Sequence, residues 1–463
     1  MSPSPRTATE GFARFAVGLE LGQVPGDVRE AARLHLLDLL GCGLQASAVG
    51  AAPYVREFAD APAGPATGIG FAAGLPADQA ALVNGIQCHA LDFDDTHPSS
   101  IAHVSAVVVP AAIASVQAAG GDGPALLRAL IAANEVTCRV GRPAGDEFHH
   151  RGFHPTAICG VFGATTAAAL ASGLDEERLV QAYGIAGSMA GGLMAYLSDG
   201  SATKPIHPGW MAHAGIYAAR LAGAGATGPA AVLEGMNGVY PAFIQLDGVD
   251  AAALAADLGS EWETLRIAFK PYAACHFVHA PLDALLLLRD EHGFGPDEVA
   301  AITFVSPRAG IELTADPIER KRRPDTPYEA KFSGPFALAA ALVTGRTDPL
   351  VFSGDFLTSE PILNLAERVD WEAREYETFP ASLPGGVRVK LRDGTRLERH
   401  LPHQRGGREN PMGEPEVSEK FRANAAAALP PEQVEALREA VLGVESESSL
   451  SFVDLLAGAG RCG

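Results

Sequence analysis

From Thr7 to about residue 260 the chain repeats one pattern: an apolar run at helical spacing, a short Gly/Pro break, then the next run, with alanine and glycine abundant throughout. The runs fall at 76–90, 106–119, 123–140, 156–172, 176–189, 209–224 and 230–235. Two more precede them. Thr7 to Glu10 has the Thr-x-x-Glu form of a capping box and leads into Phe12, Phe15, Ala16 and Leu19, one face of a first helix. After Pro25, a second helix carries Val28, Ala31, Ala32, His35, Leu36 and Leu39 on one side and runs into Gly41-Cys-Gly43. Small residues let helices approach closely, so this half is expected to be all-α. The first six residues are expected to be disordered.

Past residue 265 the texture changes. Val299 to Val305 reads as a strand, and Gly386 to Arg399 alternates apolar and charged residues around Asp393-Gly394, a strong hairpin signal. Helices are interleaved at 334–344 and 359–368. The end of the chain, 416–426 and 431–442, returns to helix with proline at the start, and is expected to fold back onto the first domain. The expected architecture is mainly α: a large all-helical domain made of two chain segments, 1–266 and 406–463, plus a smaller α+β domain at 267–405.

A chain of 463 residues exceeds what one core usually supports, which agrees with two domains. A net charge of −20 repels nucleic acid and an anionic membrane surface alike, so any bound anion must meet a local cluster of Lys, Arg and His. The six cysteines, Cys42, Cys88, Cys138, Cys159, Cys275 and Cys462, have no close pairs and read as reduced thiols of a cytoplasmic protein. The N-terminus lacks the basic start and apolar run of a signal peptide. The most apolar run, Ala106 to Ala119, contains Pro110 and is too short to span a bilayer.

Chemistry-bearing residues concentrate in four places. His89 to His103 holds three histidines, three aspartates and a threonine between two apolar helical runs. Capping explains one or two of them; it does not explain the cluster. Asp94, Asp95 and their neighbours also permit a metal reading, built on His97, His103 and Asp94, although no His-x₃-His or Cys-x₂-Cys spacing accompanies them. The second place is His149 to Thr156, where His154 opens a helix beside free backbone N–H groups, a place for a carboxylate. The third is Ser198 to Gly209, where Lys204 lies between a Gly/Ser-rich loop and a small-residue helix and His207 follows; an anion contact is preferred to a solvated surface lysine. The fourth, Phe269 to His279, puts Lys270, Cys275, His276 and His279 at the junction of the two textures, where sites commonly sit. A Cys275/His276 nucleophile pair is disfavoured because adjacent side chains point apart.

These segments together resemble the MmgE/PrpD family over essentially the whole chain. The resemblance rests on His89-Ala-Leu-Asp-Phe-Asp-Asp-Thr96, Gly152 to Thr156, Lys204 to Gly209, Lys270-Pro-Tyr272, Glu329 to Ser333, and Pro411-Met412 with Lys420-Phe-Arg422. The family contains 2-methylcitrate dehydratases, cis-aconitate decarboxylases and an iminodisuccinate epimerase. The resemblance implies the two-segment helical domain, a smaller α+β lid, a homodimer and a cofactor-free, metal-free site between the domains. It implies Asp92, Thr96, His103, His154 and Lys204 as catalytic residues. Lys270, His207, Cys275 and His276 would be substrate contacts. Some positions depart from the family pattern: Asp95-Thr-His97 stands where dehydratases carry Asp-Thr-Trp, and Phe336 stands where the lid motif carries a tyrosine. The expected activity is a lyase on a small polycarboxylate, dehydratase or decarboxylase in type. A cofactor-independent epimerase and a non-catalytic binding homologue stay as alternatives.

Overall fold

A computed structural model describes residues 7–59 and 62–458. The expected disorder of the first six residues, and Cys462, fall outside that range. The chain divides into two compact units, Met1–Ile267 with Gly413–Gly463, and Ala268–Met412.

The first unit is helical: α1 (Ala8–Gly18), α2 (Gly26–Ala48), α3 (Tyr54–Phe58), α4 (Ala77–His89), α5 (Ser105–Ala118), α6 (Gly123–Gly141), α7 (Glu147–His150), α8 (Pro155–Ala171), α9 (Glu176–Gly187) and α10 (Thr203–Gly223). The capping box is real: Thr7 accepts from the Glu10 backbone N–H while the Glu10 carboxylate accepts from that of Thr7. Helices α5 and α8 are buried along most of their length, which explains apolar sequence on every side rather than one stripe. Close approach is set by glycine. A Cβ at Gly85 of α4 would lie 2.6 Å from Gly209 Cα of α10, and one at Gly160 of α8 would lie 2.6 Å from Val107 of α5. The backbones of α4 and α10 are therefore in contact at Gly85 and Gly209.

Three sequence expectations change. Residues 230–235 form turns and not a helix, because Gly228-Pro229 before them and Gly235 and Gly238 within and after them favour turn geometry over a run this short. Helix α2 continues through Gly41-Cys-Gly43 to Ala48, its glycine being packed under Phe421 at 3.1 Å from a Gly41 Cβ. Helix α10 begins at Thr203 and carries Pro208 inside it, so Lys204 sits on the helix rather than in the loop before it.

The unit's second segment supplies helices Glu414–Ala425 and Pro431–Leu442. Lys420, buried, donates to Asp38 Oδ2 of α2 (3.0 Å) and to the Phe93 carbonyl (2.8 Å). The C-terminal segment thereby clamps the loop that follows α4.

The second unit holds a four-stranded sheet of order β2-β1-β3-β4, with β1 Val299–Ser306, β2 Val369–Ala373, β3 Gly385–Leu391 and β4 Arg396–Leu401. Strands β3 and β4 form the expected antiparallel hairpin, and Gly394 turns it at φ 96°. Strand β2, parallel to β1, is too short to have stood out in the sequence. Helix His279–His292 covers the sheet, the Pro281 ring lying 2.5 Å from where a Cβ at Gly385 would stand. Among the described residues no helix is long and apolar enough to cross a membrane.

Candidate active site

Four pieces of the first unit converge: the end of α4, the loop 90–104, the start of α8 and the start of α10. Helix α4 ends on His89, and the chain then reverses through Asp92, which takes a left-handed backbone (φ 52°) that aspartate tolerates better than most side chains. That turn faces the Asp92 carboxylate toward α10, where Lys204 Nζ donates to Asp92 Oδ1 at 3.0 Å. Both side chains are only 4% exposed, so the ion pair lies in a water-poor setting where its charges are weakly screened.

The imidazoles gather beside this pair. His89 Nδ1 lies 3.0 and 2.8 Å from the two Asp94 carboxylate oxygens, a contact in which nitrogen donates and the carboxylate accepts. His103 Nδ1 donates to the Asp95 carbonyl at 2.8 Å, with Thr96 Oγ1 at 3.3 Å, and the His103 backbone N–H donates to Thr156 Oγ1 at 2.9 Å. His154 caps α8, its backbone N–H donating to the Gly192 carbonyl at 3.0 Å and its Nδ1 lying 3.1 Å from His207 Nδ1. The His89 ring centroid is 4.7 Å from that of His103 and 5.8 Å from that of His154.

Burial shifts three histidines of this region. Desolvation first, then the nearby Lys204 charge and the other histidines, hold His154 well below its ordinary pKa, so it stays neutral near pH 7. His207 is pushed down to about 4 by burial, His89 and Lys204, and His149 to about 4 by burial and Lys204. A buried ammonium–carboxylate pair with several imidazoles beside it can receive an anionic substrate and exchange protons with it.

Of the residues singled out from the sequence, Asp92, Thr96, His103, His154, Lys204 and His207 meet in the first unit. Lys270, Cys275 and His276 belong to the second unit. There the Cys275 backbone N–H donates to the Lys331 carbonyl at 2.9 Å and the His276 ring is 4.5 Å from that of His279, both in buried surroundings. The nearby Lys321 is pushed down to about 8 by burial, its ammonium donating to the carbonyls of Leu313 and Phe332.

Asp94 and Asp95 are neighbours in the sequence, and the structure separates them. Asp95 faces away: His35 Nδ1 lies 2.8 Å from it, and Ser105 donates through both its backbone N–H and its hydroxyl. Burial opposes its charge, but these hydrogen bonds outweigh burial and hold the carboxyl below its usual range. Asp94 instead belongs to the imidazole cluster, its Oδ2 also standing 3.6 Å from His103 Nδ1. His89 and Asp94 were missed as a pair; the available signal was a histidine on the last turn of α4 five residues before an aspartate. His97 is structural, lying between Ser100 (2.8 Å) and Glu263 (3.1 Å), the latter held also by Arg142 and Arg266.

That placement removes His97 from the His97/His103/Asp94 metal set considered from the sequence. The described residues that could share a cation are His89, His103 and His154, or His89, Asp92, Asp94 and His103, whose ligand atoms lie within 4.8 Å of one another. Phe336, in place of a lid tyrosine, is fully buried on helix Gly334–Thr344 near Phe352.

Comparison with known proteins matches two family models, the MmgE/PrpD N-terminal domain at residues 10–252 and the MmgE/PrpD C-terminal domain at 272–446. Among curated proteins, the chain is 27% identical to the cis-aconitate decarboxylase-like protein oryM of Aspergillus oryzae, over 97% of this chain and 96% of that one. It is 25% identical to the cis-aconitate decarboxylase of Aspergillus terreus (96% and 94% covered) and 27% identical to that of Homo sapiens (97% and 94%).

Proposed function

Because the chain belongs to the MmgE/PrpD family, we propose that it is a lyase acting on a small polycarboxylate, by proton transfer next to a carboxylate, of the decarboxylase or dehydratase type. The observation that carries this reading is the buried Lys204–Asp92 pair set among His103 and a neutral His154. End-to-end similarity to cis-aconitate decarboxylases supports it.

Loss of CO₂, or of a proton and then hydroxide, builds negative charge on an enolate-like carbon framework. An ammonium in a water-poor cleft stabilises that charge more than water can, and a second carboxylate of the substrate gives it something to hold before the reaction starts. Asp92 aims the Lys204 ammonium. His154, neutral and held by Gly192 and His207, is suited to take a proton, and His103, aligned by Asp95, Thr96 and Thr156, to exchange one. In this reading His207 binds the remainder of the substrate.

The test is an assay in D₂O across di- and tricarboxylates, read by NMR. The expected result is loss of CO₂ or water from at least one acid. Deuterium entering an α-carbon with no other change would replace the lyase reading with an epimerase, and binding without conversion would replace it with a non-catalytic homologue.

A further inference from the structure

We propose that His89 is an additional acid/base residue of this site and that Asp94 is its positioning partner; the assignment rests on the lyase reading above. Four observations carry it. His89 is fully buried at its side chain, as is Asp94. Its Nδ1 is engaged by both oxygens of Asp94, at 3.0 and 2.8 Å. Its Nε2 is buried with no hydrogen-bond partner among the described residues, a costly arrangement for a polar atom. The imidazole packs against those of His103 and His154, with ring nitrogens of the three within 4.8 Å of one another.

A carboxylate on Nδ1 fixes the tautomer. The Nδ1 proton stays with Asp94's hydrogen bond, and Nε2 keeps the lone pair or carries the transferable proton. The carboxylate also stabilises the imidazolium that forms when Nε2 is protonated. In a decarboxylation the bond to the departing carboxylate breaks, CO₂ leaves, and the electron pair remains on carbon. Nε2–H of the imidazolium then delivers its proton to that carbon, and solvent restores it. In a dehydration Nε2 accepts the proton from the carbon next to the carboxylate, and the leaving hydroxide departs as water with a proton from a second imidazole. A buried, unpaired nitrogen is what either step needs; a histidine held only for packing would have both nitrogens satisfied or would be replaced by an apolar residue.

The experiment measures H89Q, D94N and D94E on the acid that the wild type converts, together with nitrogen-15 NMR of histidine-labelled protein and melting temperature. The expected result is a fall of about 10² to 10⁴ in kcat for H89Q with KM little changed. D94N should shift the pH profile of kcat and alter the His89 tautomer, and D94E should recover part of the rate. Folded H89Q and D94N proteins with wild-type kcat and pH profile overturn the assignment while leaving the lyase reading intact. If the wild type converts no acid, the lyase reading fails instead. The NMR then decides the dyad on its own, since neutral His89 with its single proton on Nε2, or a tautomer unchanged by D94N, overturns it.

Discussion

Lys204 Nζ and Asp92 Oδ1 stand 3.0 Å apart although 112 residues separate them in the chain. Both are buried, so neither charge was placed for solubility. The pair joins the start of α10 to the turn after α4, and it orders the site's charge.

Replacing Lys204 by methionine keeps most of its volume and removes the ammonium from a buried carboxylate. Breaking a buried pair on one side costs about 3–5 kcal/mol. Urea unfolding of K204M is expected to show a loss in that range, and turnover is expected to vanish. A variant that keeps wild-type stability and rate would remove Lys204 from the site. K204R is expected to retain the fold better than the activity, since a planar fork cannot replace a compact ammonium.

Proton transfer at His103 and His154 is tested by H103A and H154N. Each is expected to lower turnover by about 10² to 10⁴. Circular dichroism and melting temperature check that the loss is chemical. Near-normal turnover in folded H103A would set that histidine outside the reaction.

Stability should fall on the acid side of neutrality. His207 and His149 are held at about 4 in the folded chain, against an ordinary value of 6.5. Between these limits the unfolded chain binds more protons than the folded one, so unfolding free energy rises with pH there. The contribution is complete above pH 6.5 and is lost on acidification through that window to about 4. Melting temperature followed over this range is expected to drop for the wild type and to drop less steeply for H207Q. Equal slopes would contradict the lowered pKa of the partly buried His207.

Helix approach at the site depends on Gly85. G85A places a methyl carbon 2.6 Å from Gly209 Cα. Overpacking of this kind costs about 1–3 kcal/mol. Because α10 carries Lys204, the variant is expected to lose activity out of proportion to stability. G209A is expected to do the same, and calorimetry with steady-state kinetics separates the two effects.

Zinc is expected to inhibit. Three imidazoles with ring nitrogens inside 4.8 Å, beside Asp92 and Asp94, form an attractive set of donors. Inhibition should be competitive with the carboxylic acid, reversed by a chelator, and weakened in H89Q. Zinc titration with no heat and no inhibition would show the imidazoles unable to close on one ion.

How much of this was legible in the sequence varies with the range of the interaction. The capping box at Thr7, the helices and the hairpin at Gly394 were readable because capping, helical spacing and turn preference act within a few residues. The short β2 strand and the turns at 230–235 were not, since a few residues carry too little pattern to decide between states. At the site, the sequence determined which chemical groups were available and that they cluster in the stretch from His89 to His103, with His154 and Lys204 held in segments of their own.

Only the tertiary structure decided what each group does. Three aspartates within four residues look equivalent in sequence, yet Asp92 meets Lys204, Asp94 meets His89, and Asp95 meets His35 from α2. His97, between two site segments, turns instead to Glu263. The reason is physical: a buried charge is tolerated only with a partner, and partners come from whichever helices glycine contacts such as Gly85–Gly209 allow to approach. Composition set the supply of charges, and packing set their pairing.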